Sequence, residues 1–324
     1  MIGSPHFEGG KLQIHRYFKE RKWTLSVPSD ALILFAPCQS NIPPDPHVPL
    51  LSMAPQEHQH ALKIPFFKAI KALFKTCDYR TFHPESYVVE SVRDCLDVST
   101  ILEEQRRQVW FLKSARASFG DGIAVRTGDA ALRREFRSCD VYADKNKRVL
   151  VQKGVNNIMQ YNGRNTQGRS YLFISSYNPV SVWFFMGYFN IAGSNKTVRD
   201  IHITNLRSNQ HSTRLLFHEL MKGRTTEDML ELKNTIKSAA LPAFLALKEK
   251  LGTNKGSFSL FGFDFLVEES LKVKVLEVNC NCELFMDEQK YGKVRVMQST
   301  RLVDNMIDIV LTSAFDPKGF LSIL

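Results

Sequence analysis

The stretch Ser257-Phe-Ser-Leu-Phe-Gly-Phe-Asp264-Phe-Leu-Val-Glu-Glu-Ser-Leu-Lys-Val-Lys-Val-Leu-Glu277-Val-Asn279 decides the fold. Two apolar, β-branched and aromatic runs flank the polar turn Glu268-Glu269-Ser270, the pattern of a β-hairpin. On the second strand the two-residue period puts Leu271, Val273 and Val275 on one face and Lys272 and Lys274 on the other. Continuing that parity places Glu277 and Asn279 on the apolar face, where an unpartnered carboxylate is penalised or shifts its pKa. On the first strand Asp264 faces away from Phe261, Phe263 and Phe265. If the hairpin closes near residues 269–270, Asp264 lies opposite Val275 and diagonal to Glu277, with Cα atoms about 7–8 Å apart. Two carboxylates and an amide oxygen are hard ligands suited to Mg²⁺ shared with substrate phosphates. Lys or Arg partners without metal would satisfy the same pattern.

Outward from the hairpin, Lys113 ends the apolar run Val109-Trp-Phe-Leu, and Lys153 ends Val149-Leu-Val-Gln. Lysines at the ends of buried strands can reach phosphates as point charges. Ser118-Phe-Gly120-Asp-Gly122-Ile123 follows the first, and its glycines allow backbone N–H groups to approach an anion. A Gly-rich hairpin with two snorkelling lysines is the plainer reading, because neither a P-loop nor a G-x-G-x-x-G is present. Further strands are expected near 148–153 and 170–175, and helices over 65–76, from the Thr225/Asp228 capping box toward Leu251, and over 294–312. Pro242 predicts a kink or a break in the second of these. The expected class is α/β with antiparallel hairpins, in three units at 1–95, 96–190 and 191–324.

The 324 residues carry 43 Lys+Arg against 33 Asp+Glu, a net charge of +10, which favours acidic partners. The basic residues Arg133, Arg134, Arg137, Lys145, Lys147 and Arg148 read as a solvated face, so no nucleic acid is expected. No run of 18 apolar residues offers a membrane span, and the N-terminus lacks the charge-then-apolar order of a secretory leader. Six scattered cysteines, two of them the lone Cys280-x-Cys282, predict free thiols in a reducing compartment.

In order, Phe111-Leu-Lys113, Ser118-x-Gly-x-Gly-Ile123, Val151-Gln152-Lys153, Gly168-Arg169-Ser-Tyr-Leu-Phe-Ile, His202-Ile-Thr204-Asn205, Gly262-Phe-Asp264-Phe and Leu276-Glu277-Val-Asn279 resemble the tubulin–tyrosine ligase family. The resemblance covers roughly residues 82–300 and implies an ATP-grasp fold, behind an N-terminal α/β domain. It implies that Lys113 and Lys153 contact ATP, and that Gly120, Gly122 and Ile123 belong to a mobile phosphate loop. By the same likeness Gln152, Lys153, Gly154 and Val155 form an adenine hinge, Thr204 and Asn205 line the nucleotide pocket, and Asp264, Glu277 and Asn279 bind Mg²⁺. Arg169 would stabilise the transferring phosphate, and Lys293 would hold the incoming free amino acid. The implied activity is ATP-dependent ligation of an amino acid to an acidic protein or peptide, a tubulin tail foremost, in the cytoplasm or at the cytoskeleton. The chain departs from the family at Asn165-Thr-Gln167, where a Lys and an Asp are usual, and at Asn190, where an Arg is usual. A nucleotide-binding protein of low or no activity is the alternative those neutral residues imply.

Overall fold

The computed structural model describes Arg16, Glu20, the backbone of 51–52, and residues 63–105, 107–115, 122–127, 136–144, 147–177, 180–193, 204, 213–248, 251, 257–279, 292–312 and 320–322. Its strands are β1 (Leu51–Ser52), β2 (Ser86–Val89), β3 (Val109–Ser114), β4 (Ile123–Thr127), β5 (Val149–Lys153), β6 (Gln160–Tyr161), β7 (Arg164–Tyr177), β8 (Val180–Ile191), β9 (Thr213–Leu216), β10 (Ser257–Val267), β11 (Val273–Asn279) and β12 (Phe320–Ser322). Its helices are α1 (Lys63–Leu73), α2 (Val92–Glu104), α3 (Phe217–Leu220), α4 (Thr226–Lys248) and α5 (Lys293–Thr312).

Two sheets result. The larger runs β1-β10-β7-β8-β12, with β11 on β10, β6 on β7 and β9 on β8; the smaller runs β2-β5-β3-β4. Among the described residues every strand pairing is antiparallel apart from the parallel pair β1–β10. Strand alternation divides the large sheet between two cores. Phe261, Phe263, Phe265 and Val267 of β10 pack with Phe66 and Ile70 of α1 and Ala239, Ala243 and Phe244 of α4. Phe258 and Leu260 face the opposite side, against Leu302, Met306 and Ile307 of α5. On the small sheet Trp110, Leu112 and Val151 pack against Cys95, Val98 and Leu102 of α2. Helix α1 joins the sheets, because its Ile64 and Phe67 reach Leu150 of β5 while Phe66 and Ile70 serve the large core.

Three local expectations change. Helix α4 passes through Pro242 without a break. The missing N–H forfeits one helical bond, and the buried face Leu232, Ile236, Ala239, Ala240, Ala243, Phe244 and Leu247 holds the helix regardless. Its capping box is present: Asp228 N donates to Thr225 Oγ1 at 3.0 Å and Thr225 N to Asp228 Oδ2 at 3.1 Å. The free-thiol reading fails for Cys95 and Cys139, which are joined in a disulfide with Cα atoms 5.6 Å apart. Periodicity revealed neither cysteine's partner, because the bond joins α2 to a short 3₁₀ turn, Cys139–Ala143, 44 residues on. Cys77 is free and exposed; Cys38, Cys280 and Cys282 lie outside the described residues. The third change, a bulge in β11, shapes the site below. Among the described residues no helix is long and apolar enough to cross a membrane.

Candidate functional site

Asp264 and Glu277 stand directly opposite each other, not diagonally. On β11 the pairing jumps from Glu277 to Val275 while β10 advances only from Asp264 to Phe265, so Leu276 is an extra residue. Such a bulge inverts the side-chain parity beyond it. Val273 and Val275 keep to the buried face, Val278 takes over that role, and Glu277 and Asn279 turn to the face carrying Asp264. The apolar-face placement inferred from strict alternation is therefore corrected: no carboxylate enters the aliphatic core.

Beyond the end of the α5 core, this face is polar. Register places Glu277, Asp264, Arg169 and Tyr188 in one row across β11, β10, β7 and β8. Arg169 grips Asp264 with both arms, Nε on Oδ1 and one terminal nitrogen on Oδ2 at 2.8 Å. The strands approach closely here. A Cβ on Gly187 would lie 2.2 Å from the Arg169 carbonyl oxygen, and one on Gly168 would lie 2.2 Å from the Phe265 ring. Asn279 Nδ2 is 3.4 Å from both Asp264 Oδ2 and Glu277 Oε1. Lys63, the first residue of α1, places its ammonium 3.8 Å from Glu277 Oε2.

Burial pushes the Asp264 carboxyl above its usual range, with Glu277 adding to the rise against the pull of Arg169. Burial works the same way on Glu277, but Lys63, Lys113 and Arg169 bring it below the ordinary value. Two carboxylates side by side, with an amide beside them, make a hard-oxygen donor set that fits Mg²⁺. The Asn279 amide would present its oxygen, rather than its nitrogen, to such an ion. Among the described residues no group of three or more His, Cys, Asp and Glu side chains comes together, here or elsewhere; this site has two carboxylates and depends on Asn279 for a third protein oxygen.

Lys113 enters from the small sheet and is buried. Its ammonium donates to Gln152 Oε1 at 2.6 Å. Burial, reinforced by Lys63, lowers its pKa to about 8, against the opposing pull of Glu277 and Asp264. Ile123 stands across from it in register, and Gly122 just before has φ +69°, a left-handed conformation that glycine adopts at least strain. Lys153 does not join Lys113. One residue beyond Gln152 on the same strand, it points to the α2 side and bonds Glu85 Oε2 at 3.2 Å. In the expected hinge, the Lys153 and Gly154 N–H groups are committed to Glu85 O and Val109 O, at 2.8 and 2.7 Å. Val155 is the next residue after that pairing. Buried Thr204 donates to Gln167 Oε1 at 2.8 Å; Gly120 and Asn205 lie outside the described residues. Lys293, the first residue of α5, is exposed.

Four residues nearby were not singled out from sequence. Arg214 of β9 stands in register with Asn190 and donates to its Oδ1 at 3.1 Å. Arg214 and Arg295 place their guanidinium carbons 5.9 and 5.4 Å from the centroid of the Tyr188 ring. Gln298, one turn after Arg295, has a buried carbonyl oxygen with no hydrogen-bond donor among the described residues. His83 is wholly buried beside Gln152. In the sequence, the i, i+3 spacing of Arg295 and Gln298 and the place of His83 in Phe82-His-Pro-Glu-Ser-Tyr87, where the family resemblance begins, were the signals that could point to them.

The sequence matches the profile of the tubulin-tyrosine ligase family over residues 51–318. The chain belongs to the tubulin-tyrosine ligase family. Its relatives include the rat protein polyglycylase TTLL10, 28% identical over 62% of this chain and 34% of that one, and the human inactive polyglycylase TTLL10, with the same three values. A probable tubulin polyglutamylase of Caenorhabditis elegans, ttll-9, is 22% identical over 71% of this chain and 58% of that one. The chain thus spans about a third of the length of the polyglycylases it matches. In structure it resembles the C-terminal domain of K. lactis Pby1, an ATP-grasp enzyme, with a TM-score of 0.66 and 18% identity over 100% of this chain and 97% of that one. The α/β architecture with mainly antiparallel sheets is therefore an ATP-grasp fold, as expected of a tubulin-tyrosine ligase family member.

Proposed function

We propose that this protein is an ATP-dependent carboxylate–amine ligase that joins a free amino acid to a carboxylate of an acidic protein or peptide. The observation carrying this reading is the facing pair Asp264 and Glu277, with Arg169 bonded to Asp264 and the buried ammonium of Lys113 within electrostatic reach of both carboxylates. Asp264, Glu277 and Asn279 would hold Mg²⁺, which when bound neutralises phosphate charge and aligns the phosphates. Lys113 contributes a second cation toward the nucleotide, with Gly122 and Ile123 covering it. Residues 152–155 edge the adenine pocket, and Thr204 closes it beside Gln167. Arg169, fixed by Asp264, presents its remaining N–H groups to the phosphoryl group in transfer.

In the family chemistry the acceptor carboxylate attacks the γ-phosphorus and ADP leaves. The amine then attacks the acyl carbon, and phosphate leaves with the C–O bond. The side chains position both partners and exclude water, which would otherwise hydrolyse the acyl-phosphate. For the incoming amino acid, Arg295 and Gln298 of α5 offer a cation for its carboxylate and an acceptor for its ammonium, Arg295 lying 5.4 Å from the Tyr188 ring centroid, beside exposed Lys293 at the start of the same helix. The net charge of +10 suits an acidic acceptor, a tubulin tail foremost, and with it a cytoplasmic, cytoskeletal setting.

A second reading keeps ATP binding and drops turnover. It is favoured by neutral Gln167 and Asn190, whose carbonyl oxygens are already engaged by Thr204 and Arg214. The two are separated by measuring ADP release with ATP, Mg²⁺, amino acids and acidic peptides. Ligation requires ADP that depends on the acceptor and turns over repeatedly only when the amino acid is also present; calorimetric ATP binding without ADP selects the second reading.

A further inference from the structure

The ammonium of Lys113 can only donate, so the Gln152 carboxamide must turn its oxygen toward it. The NH₂ end then lies on the far side, 3.4 Å from His83 Nε2 and 3.3 Å from Ser86 Oγ. The His83 tautomer that suits this carries its proton on Nδ1, donating to Pro84 O at 2.8 Å, and leaves Nε2 to accept from Gln152, with the Leu276 backbone also hydrogen-bonding the ring. Ser86 Oγ donates to Pro84 O as well, at 2.8 Å, leaving its lone pairs to Gln152. Burial, with the charge of Lys113 adding to it, lowers the His83 pKa to about 4, which keeps the ring neutral near pH 7.

The ring is also clamped. Phe66 and Phe67 of α1 lie 6.4 and 5.2 Å from it, centroid to centroid. Its chain neighbour Phe82 accepts a backbone bond from Val275, 2.9 Å long, immediately before the bulge that delivers Glu277. A histidine serving only as core filler would need neither this ordered run of donors and acceptors nor a place at the junction of both sheets.

We propose that His83 is a positioning residue, which acts through Gln152 to hold the ammonium of Lys113 toward the Asp264–Glu277 pair. The inference rests on the reading of Lys113 as a phosphate contact. Without the His83 acceptor, one Gln152 N–H loses its partner and Ser86 Oγ alone holds the NH₂ end, so Gln152 and the Lys113 ammonium bonded to it are held by one contact fewer.

The test is a cycle of full-length variants, His83→Leu, His83→Gln, Lys113→Met and His83→Leu with Lys113→Met. Mg-ATP affinity is read by competition against a fluorescent ATP analogue, and melting temperature is recorded for each. His83→Leu is expected to weaken ATP about fivefold to tenfold, the equivalent of one hydrogen bond. His83→Gln, which restores an acceptor, is expected to recover most of that loss. In the Lys113→Met background His83→Leu is expected to have no further effect. A loss of equal factor with and without Lys113 overturns the proposal, because it marks general damage to the fold. Unchanged affinity in His83→Leu overturns it too. If the unaltered chain binds no ATP, the phosphate-contact reading itself fails, an outcome distinct from the other two.

Discussion

Replacing Lys113 with Met tests whether this buried ammonium is kept for function at the expense of stability. Its pKa falls from 10.5 to about 8 on folding, chiefly through burial. The gap corresponds to roughly 3 kcal/mol, by which the charged form is disfavoured in the folded chain. The sign follows from the order of deprotonation. Below about pH 8 the lysine is charged in both states, and the folded state carries the whole penalty. Between about 8 and 10.5 the folded chain has lost the proton while the unfolded chain retains it, so stability rises with pH across that window. Met fills a similar volume without charge, but it strands Gln152 Oε1, which costs about 1–3 kcal/mol. Urea unfolding at pH 7 should therefore find Lys113→Met as stable as the parent, or more stable by up to about 2 kcal/mol. The difference between the two should swing by about 3 kcal/mol in favour of the parent by pH 10. ATP affinity in the same variant should drop about thirtyfold, the value of one charged phosphate contact. A variant destabilised by 2 kcal/mol or more at pH 7, or a difference flat from pH 7 to 10, would refute the reasoning.

Asp264→Ala should lower unfolding stability by about 2–3 kcal/mol, because it leaves the half-buried Arg169 without its counter-charge; urea titration checks this. Glu277→Gln should cost far less stability yet abolish the Mg²⁺ dependence of ATP binding, read by calorimetry with and without the ion, which makes it the cleaner functional variant. Reducing the Cys95–Cys139 bond, or replacing both residues by Ala, should lower stability by about 4 kcal/mol for a 44-residue separation, seen as an earlier urea midpoint. Gly168→Ala should cost about 1–3 kcal/mol, since its Cβ would fall 2.2 Å from the Phe265 ring; a melting temperature equal to the parent's would contradict that packing.

The hairpin, the antiparallel class and the nearness of Asp264 to Glu277 were legible because apolar alternation and turn chemistry are local; the direct pairing of the two was not, since strict register set Asp264 opposite Val275. The face on which Glu277 lies was not. A bulge is decided by how Phe265 and Val275 meet their neighbours, and Leu276 reads like any other strand residue. Lys153 shows the same limit: ending a buried strand says nothing of the side it faces, and one residue of parity separates it from Gln152. Pro242 misled because local backbone cost is visible in sequence while the buried face that offsets it is assembled from distant strands. The disulfide, Arg214 and His83 all depend on partners far along the chain, which spacing alone does not reveal.

The most direct measurement of the ligase reading is the intact mass of an acidic peptide incubated with this chain, ATP, Mg²⁺ and each amino acid in turn, glycine, glutamate and tyrosine first. The predicted result is a mass increase of one amino-acid residue with matching ADP, absent with Glu277→Gln. ATP bound tightly, with neither mass increase nor ADP across the whole panel of amino acids and acceptors, would contradict it.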